Sequence, residues 1–306
     1  MMWLIFAFIS AALLGCYDSL KKEALSGNAV IPVLFLNTLF CSLIFMPLVI
    51  VSASTSWLDQ SQFHVPVVGW ATHKYILLKS LIVLSSWLFG YFGMKHLPLT
   101  IVGPINATRP VMVLVGAFLV FGERLNGWRW MGVLLAFLSF LMLSRSGKKE
   151  GIDFKHDRWI WMIVGAAALG AISGLYDKYL MAPVESGGVG LDRMMVQSWY
   201  NIYQCFMMLA MLYLLWWPKH NDTTPFHWSW AIIGVSVFLS TADFMYFYSL
   251  SLPDAMISIV SMIRRGSVVV SFLFGAAFFH EKNLKAKAFD LALVLLGMIF
   301  LYIGSS

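Results

Sequence analysis

Charge is scarce in this chain. Only 12% of its 306 residues are Asp, Glu, Lys or Arg, against about 25% in soluble globular domains. With 60% hydrophobic residues and a mean hydropathy of +0.78, that scarcity excludes a water-soluble globular protein and indicates an integral membrane protein. Cysteine is scarce too. Cys16, Cys41 and Cys205 all lie inside apolar runs, so they read as small buried hydrophobes and not as a disulfide framework. There is no phosphate-binding loop, nucleophile elbow or dinucleotide fingerprint. "HEKNL" at 280–284 begins like a zinc-protease helix, but Leu284 stands where the second histidine is needed. "GGVGLD" at 187–192 has the wrong spacing for a phosphate loop. No enzyme, metal or cofactor is therefore expected. The net charge of +6 is modest, and its basic residues cluster between apolar runs. They read as juxtamembrane anchors, with no nucleic-acid patch.

What is present is a series of long apolar runs. A spanning helix needs about 20 mostly apolar residues, and ten candidates meet that length: 2–21, 29–51, 74–95, 98–121, 126–144, 158–180, 192–216, 227–249, 253–279 and 285–304. The N-terminal run lacks a basic leader and a small-residue cleavage site, so it reads as a first span and not a removed signal peptide. All-helical is the expected class, because in lipid every backbone amide must be paired within its own segment. The runs are too long and too uniformly apolar for barrel strands.

The chain also repeats itself. The most polar linker, "SRSGKKEGIDFKHDR" (144–158), divides the ten runs five and five. "ALLGCYDSLKK" in the first run has a counterpart, "GAISGLYDKYL", in the sixth, so Tyr17-Asp18 matches Tyr176-Asp177 at an offset of 159. Ala11 and Gly15 match Gly170 and Gly174, small residues four apart that allow close helix contact. Asn37 and Cys41 match Asn201 and Cys205. "YFGMKHLP" matches "YFYSLSLP", so Leu97-Pro98 falls on Leu252-Pro253 at an offset of 155, and Arg109 then falls on Arg264. Pro98 and Pro253 suit the first turn of a helix. "GERL" at 122–125 corresponds to "HEKN" at 280–283, and Glu123 and Glu281 read as capping or gating contacts. Five spans per copy is an odd number, so the second copy enters the membrane from the other side. The expected organisation is an inverted repeat: residues 1–146 as the first five-helix repeat, 147–157 as linker and 158–306 as the second.

This layout resembles the drug/metabolite transporter superfamily. "PVMVLVGAFLVFGERLNGWRWMGVLLAFLSFLML" (110–143) is similar to its EamA-type families, with a proline about a dozen residues before a Gly-Glu pair. The resemblance implies a multi-pass protein of the inner cell membrane and a central cavity between helices 1–4 and 6–9. It also implies alternating access without ATP. One departure stands out: Arg264-Arg265-Gly266 occupies a region where an apolar residue or proline is usual.

Asp18, Asp177, Asp243, Arg109, Arg264 and Arg265 lie within the expected spans, with Lys21, Lys178 and Asp254 nearer their ends. Arg109 sits about eleven residues past Pro98, roughly 16 Å along a helix and near the midplane. A charge there costs about 2.5–3.5 kcal/mol on insertion scales, so it must be paired or face water. Neighbours on a helix point about 100° apart. Arg264, the counterpart of Arg109, is therefore assigned to the cavity, and Arg265 to a carboxylate such as Asp243. The competing reading is that aspartates and arginines neutralise one another in buried pairs.

Polar stripes point to the same cavity: Gln197, Asn201 and Gln204; Ser236, Ser240 and Asp243; Asn106 and Arg109; Ser261, Arg264 and Ser267. The expected substrate-binding set is Arg109, Arg264, Asn106, Asn37, Asn201, Gln197, Gln204, Trp87, Tyr91, Tyr200 and Tyr246, with Tyr203 a further ring. The coupling or ion-pair set is Asp18, Asp177, Asp243, Arg265, Tyr17 and Tyr176, where protons are the candidate coupling ion and a salt bridge to Lys21 or Lys178 is the alternative. Nine tryptophans, among them Trp57, Trp128 and Trp230, sit near span ends as belt residues.

The function that these features favour is secondary transport of a small anionic or zwitterionic metabolite across the cytoplasmic membrane, by a monomer or homodimer in the lipid bilayer. The alternatives are a proton-coupled exporter of organic cations or drugs, and a lipid-phosphate flippase. The resemblance implies cytoplasmic termini, whereas the basic midpoint linker favours the opposite orientation under the positive-inside rule. A C-terminal reporter fusion is expected to report a cytoplasmic terminus; activity only on the outer face would reverse the topology.

Overall fold

The computed structural model describes residues 2–113, 115, 126–148, 154–252, 260, 263–279 and 284–304. Among these, all regular structure is helical. The helices are α1 (Met2–Leu25), α2 (Val30–Ser54), α3 (Trp70–His96), α4 (Leu99–Ala107), α5 (Gly127–Lys148), α6 (Arg158–Met181), α7 (Arg193–Met211), α8 (Ala231–Ser251), α9 (Ser267–Ala277) and α10 (Leu284–Ile303). Five of them, α1, α2, α3, α6 and α8, carry stretches long and apolar enough to cross a membrane. The protein is thus an all-α, polytopic membrane protein.

Local chemistry sets the helix ends. Asp192 caps α7, accepting from the backbone amides of Met194 at 2.7 Å and Met195 at 3.1 Å. Past Met211 the helix loosens into a π turn, Leu212–Trp216, and then meets Pro218. Pro98 occupies the position just before α4, one residue ahead of the first-turn place expected for it. Pro253, Asp254, Ser261, Glu123 and Glu281 lie outside the described residues, as do parts of the 98–121 and 253–279 spans and of the 147–157 linker.

Two helices stop short in mid-span. α4 ends at Thr108, and residues 109–113 continue as a separate helical turn. Pro110 has no N–H to donate to the Asn106 carbonyl, and its ring crowds that carbonyl. Residues 263–265 are helical, turn at Gly266, and α9 starts at Ser267. Arg109, Arg264 and Arg265 stand at these two breaks. Irregular backbone at membrane depth is tolerated only where protein or a water-filled cavity satisfies it.

Five of the helix pairings are α1 with α8, α3 with α6, α2 with α7, α5 with α10 and α4 with α9. Exchanging the first five helices with the last five turns α1–α8 into α6–α3 and leaves the other three pairs unchanged. Two apolar clusters bracket the interior. One holds Leu25, Leu34, Met94, Leu97 and Ile105; the other holds Trp3, Ala7, Ile76, Leu180 and Phe247. Large apolar side chains such as Ile5, Phe8, Leu43, Ile50 and Leu81 point outward, where lipid takes the place of a core. The belt tryptophans Trp57, Trp128, Trp130, Trp161, Trp217, Trp228 and Trp230 are exposed.

Gly15 shows how close the helices come. A Cβ there would lie 2.3 Å from the Cβ of Val270 and 3.0 Å from the Ser267 carbonyl oxygen, so α1 and α9 touch nearly backbone to side chain. Gly15→Leu is expected to destabilise the protein by about 1–3 kcal/mol through overpacking, read as a lowered melting temperature in detergent. An unchanged melt would show that this contact is not tight.

Candidate functional site

A cavity of about 170 Å³ lies where the two apolar clusters meet, walled by α1, α3, α4, α6, α7, α8, α9 and the turns at Arg109 and Arg264. Its charged lining consists of Asp18, Asp177 and Asp243 with Lys21, Lys79, Arg109, Arg264 and Arg265. The first-half residues Tyr17, Asp18, Tyr91 and Arg109 thus share one chamber with Asp177, Tyr246 and Arg264 of the second half.

Three of the five cations are spoken for. Lys21 Nζ donates to Asp18 at 2.8 Å and lies over the Tyr17 ring, 4.3 Å from its centroid. Lys79 donates to Asp177, and its Nζ sits 4.9 Å from the Tyr200 ring centroid. Arg264 donates to Asp243 and stacks over Tyr246 at 4.2 Å. The Tyr200 hydroxyl donates to the other Asp243 oxygen at 2.7 Å. Each of these aspartates therefore has a cation, and each cation an aromatic face.

Arg109 and Arg265 are different. Arg109 Nη2 donates to Asn106 at 3.0 Å, and its Nε is buried without a partner. Its guanidinium lies across bare backbone at Gly170, where a Cβ would come within 2.7 Å of Nη1. Among the described residues no carboxylate lies within ion-pair distance of Arg109 or Arg265. Both adjacent arginines line the cavity, Arg264 as expected, but it is Arg264 and not Arg265 that takes Asp243. The physical reason is the 100° step between neighbours. The structure resolves which of the two turns toward α8, something that the likeness of Arg264 to Arg109 did not reveal.

Of the expected binding residues, Arg109, Arg264, Asn106, Trp87, Tyr91, Tyr200 and Tyr246 line the cavity, as do Asp18, Asp177, Asp243, Arg265 and Tyr17 from the coupling set. Asn37, Gln197, Asn201, Gln204 and Tyr176 do not. Asn37 lies behind the wall, donating to the Tyr91 hydroxyl and accepting from Ser236, each at 3.0 Å. The Gln197–Asn201–Gln204 stripe is buried; Gln197 donates to the Ser240 carbonyl at 3.2 Å and Asn201 to the Gln197 carbonyl at 2.8 Å. A polar face on a helix serves helix–helix contact as readily as a cavity. The Tyr176 hydroxyl donates to the Tyr75 carbonyl at 3.2 Å, and Tyr203 meets His73 Nδ1 at 2.8 Å.

Lys79 was missed by sequence reasoning. Its signal was helical spacing: Lys79, Val83, Ser86, Gly90 and Met94 follow the same face of α3 into the cavity. Because Lys79 is only 3% exposed and its partner 11%, Lys79→Ala strands a buried carboxylate. A loss of about 3–5 kcal/mol is expected, with much of it recovered in Lys79→Ala/Asp177→Ala. Additive losses in a double-mutant cycle of detergent melts would show that the pair is not coupled.

No curated protein sequence matches the chain. A solved structure titled only "Crystal structure of protein" aligns with 99% of this chain and 98% of its own at a TM-score of 0.65, with 11% identity; at that identity the likeness extends to the fold alone. The sequence pattern of the EamA-like transporter family matches residues 1–145. That match spans just under half of the chain and marks a likeness to the EamA-like transporter family over residues 1–145, consistent with the drug/metabolite transporter superfamily and with a multi-pass membrane protein.

Proposed function

We propose that the protein is a secondary active transporter of small anionic metabolites in the cytoplasmic membrane, working by alternating access. The observation that carries this reading is a pair of guanidiniums, Arg109 and Arg265, that line one cavity with no carboxylate at ion-pair distance among the described residues. A charge at such a depth is unfavourable by several kcal/mol unless an opposite charge or water meets it. Arginine's planar fork suits carboxylate and phosphoryl oxygens. An organic cation would meet repulsion here, because all three aspartates are already engaged.

Residues 1–146 and 158–306 act in this proposal as two inverted five-helix repeats joined by 147–157. The helix pairing supports it, since it maps onto itself when the halves are exchanged. The cavity lies between two apolar clusters, and opening one while closing the other would give alternating access. Polar tethers mark both ends. On one side Lys22 donates to the Met94 and Leu97 carbonyls at 2.7 and 2.6 Å. On the other, Arg193 donates to the Gln62 carbonyl at 3.1 Å and side chain at 2.6 Å. Proton coupling through Asp18 or Asp177 would require the carboxylate to release its lysine.

In proteoliposomes supplied with labelled small carboxylates and phosphate esters, Arg109→Ala and Arg265→Ala are each expected to reduce uptake at least roughly tenfold, a loss of about 1.4 kcal/mol of interaction. Lys219→Ala, on the exposed surface, should leave uptake unchanged. Undiminished uptake by both arginine variants would end this reading.

A further inference from the structure

The cavity's charge can be counted. Among the described residues five cations and three carboxylates line it, a net +2 with every one of those groups ionised. The surplus resides on Arg109 and Arg265, because Lys21, Lys79 and Arg264 each hold a carboxylate. Both guanidiniums line the same cavity.

The repeat shows that this count is built in. At the offset of 155 that carries Arg109 onto Arg264, the first-half counterpart of Asp243 is Leu88 and that of Arg265 is Pro110. At this offset the second half holds one carboxylate and one guanidinium that the first half lacks, while Lys79 of the first half has Gly234 as its counterpart. With leucine in place of Asp243 the chamber would carry +3; with proline in place of Arg265 it would carry +1. The added carboxylate is firmly held, taking Arg264 on one oxygen and the Tyr200 hydroxyl on the other. It is therefore a fixed counter-charge that withdraws Arg264 from the surplus. Leu88, by contrast, packs among apolar residues and leaves Arg109 without a carboxylate.

We propose that the substrate is a dianion: a small molecule whose two negative charges are met by Arg109 and Arg265, with Asp243 limiting the number to two. A monoanion would leave one guanidinium uncompensated in a low-dielectric chamber, and a trianion would bring one charge in excess. Two carboxylates, one on each arginine, or a single phosphoryl group between them would both satisfy the count. This inference rests on the anion reading above and adds to it the number of charges.

The test uses the purified full-length protein in lipid nanodiscs, with affinities measured by calorimetry and thermal stabilisation at neutral pH. Charge-altered isosteres separate charge from shape: succinate against succinamate, and methyl phosphate against dimethyl phosphate. In at least one pair the dianion should bind at least about tenfold more tightly, and the pair that discriminates identifies the dicarboxylate or the phosphoryl source. Arg265→Gln should reduce that ratio to about one, while Arg265→Lys, which keeps the charge and controls for folding, should retain it. Asp243→Asn should move the preference from succinate toward the trianion tricarballylate. Equal binding within both pairs by the unmodified protein, or a ratio untouched by Arg265→Gln, would overturn the dianion proposal and leave anion transport standing. Failure of every anion to bind would remove the anion reading itself, and this proposal with it.

Discussion

An ionised side chain in the middle of a bilayer must find an opposite charge or water. Among the described residues eight ionisable groups line the cavity, and much of the architecture follows from accommodating them. Three ion pairs, Lys21–Asp18, Lys79–Asp177 and Arg264–Asp243, neutralise six. A buried pair gives little net stability compared with apolar packing of the same volume. These pairs are therefore better understood as fixing where charge remains than as holding the bundle together. The bundle itself is held by close helix contact, as at Gly15 against Val270.

The residual charge is placed by backbone breaks. Pro110 interrupts the helical run after α4, and Gly266 turns the chain before α9. Each break brings arginine to the chamber, Arg109 from the first half and Arg264 and Arg265 from the second. An unbroken helix would still carry its arginines, but the carbonyls and amides freed at the breaks require a polar surrounding. The same polar space that those groups need is what an anion would enter. Gly170 completes the arrangement on the Arg109 side, since any side chain there would collide with the guanidinium.

The aromatic residues link charge to packing. Tyr17, Tyr200 and Tyr246 each present a ring face to a paired cation, and Tyr17 belongs to one bracketing cluster while Tyr200 and Tyr246 belong to the other. Movement of either cluster would carry its rings across the cations. Behind Tyr91, the buried network through Asn37 and Ser236 ties α2, α3 and α8 together.

Composition and periodicity were sufficient for the membrane class and the helical fold, but for only part of the cavity wall: Arg109, Arg264 and Tyr91 line it, whereas Asn37, Gln197, Asn201 and Gln204 do not. The depth of Arg109, the mirrored Tyr-Asp pairs and the offset of 155 between Leu97-Pro98 and Leu252-Pro253 all draw on properties local to a helix or to a comparison of the two halves. Partner choice was not available from those sources. Whether Arg264 or Arg265 takes Asp243 depends on the rotation of one helix against α8. Whether the Gln197 stripe faces a cavity or a neighbouring helix depends on what packs there. Lys79 acquired its role only when α3 was laid against α6 and Asp177. Helical spacing fixes the faces of a chain, because backbone geometry is local; only the tertiary structure decides which faces meet, because that is settled by contacts between residues far apart in sequence.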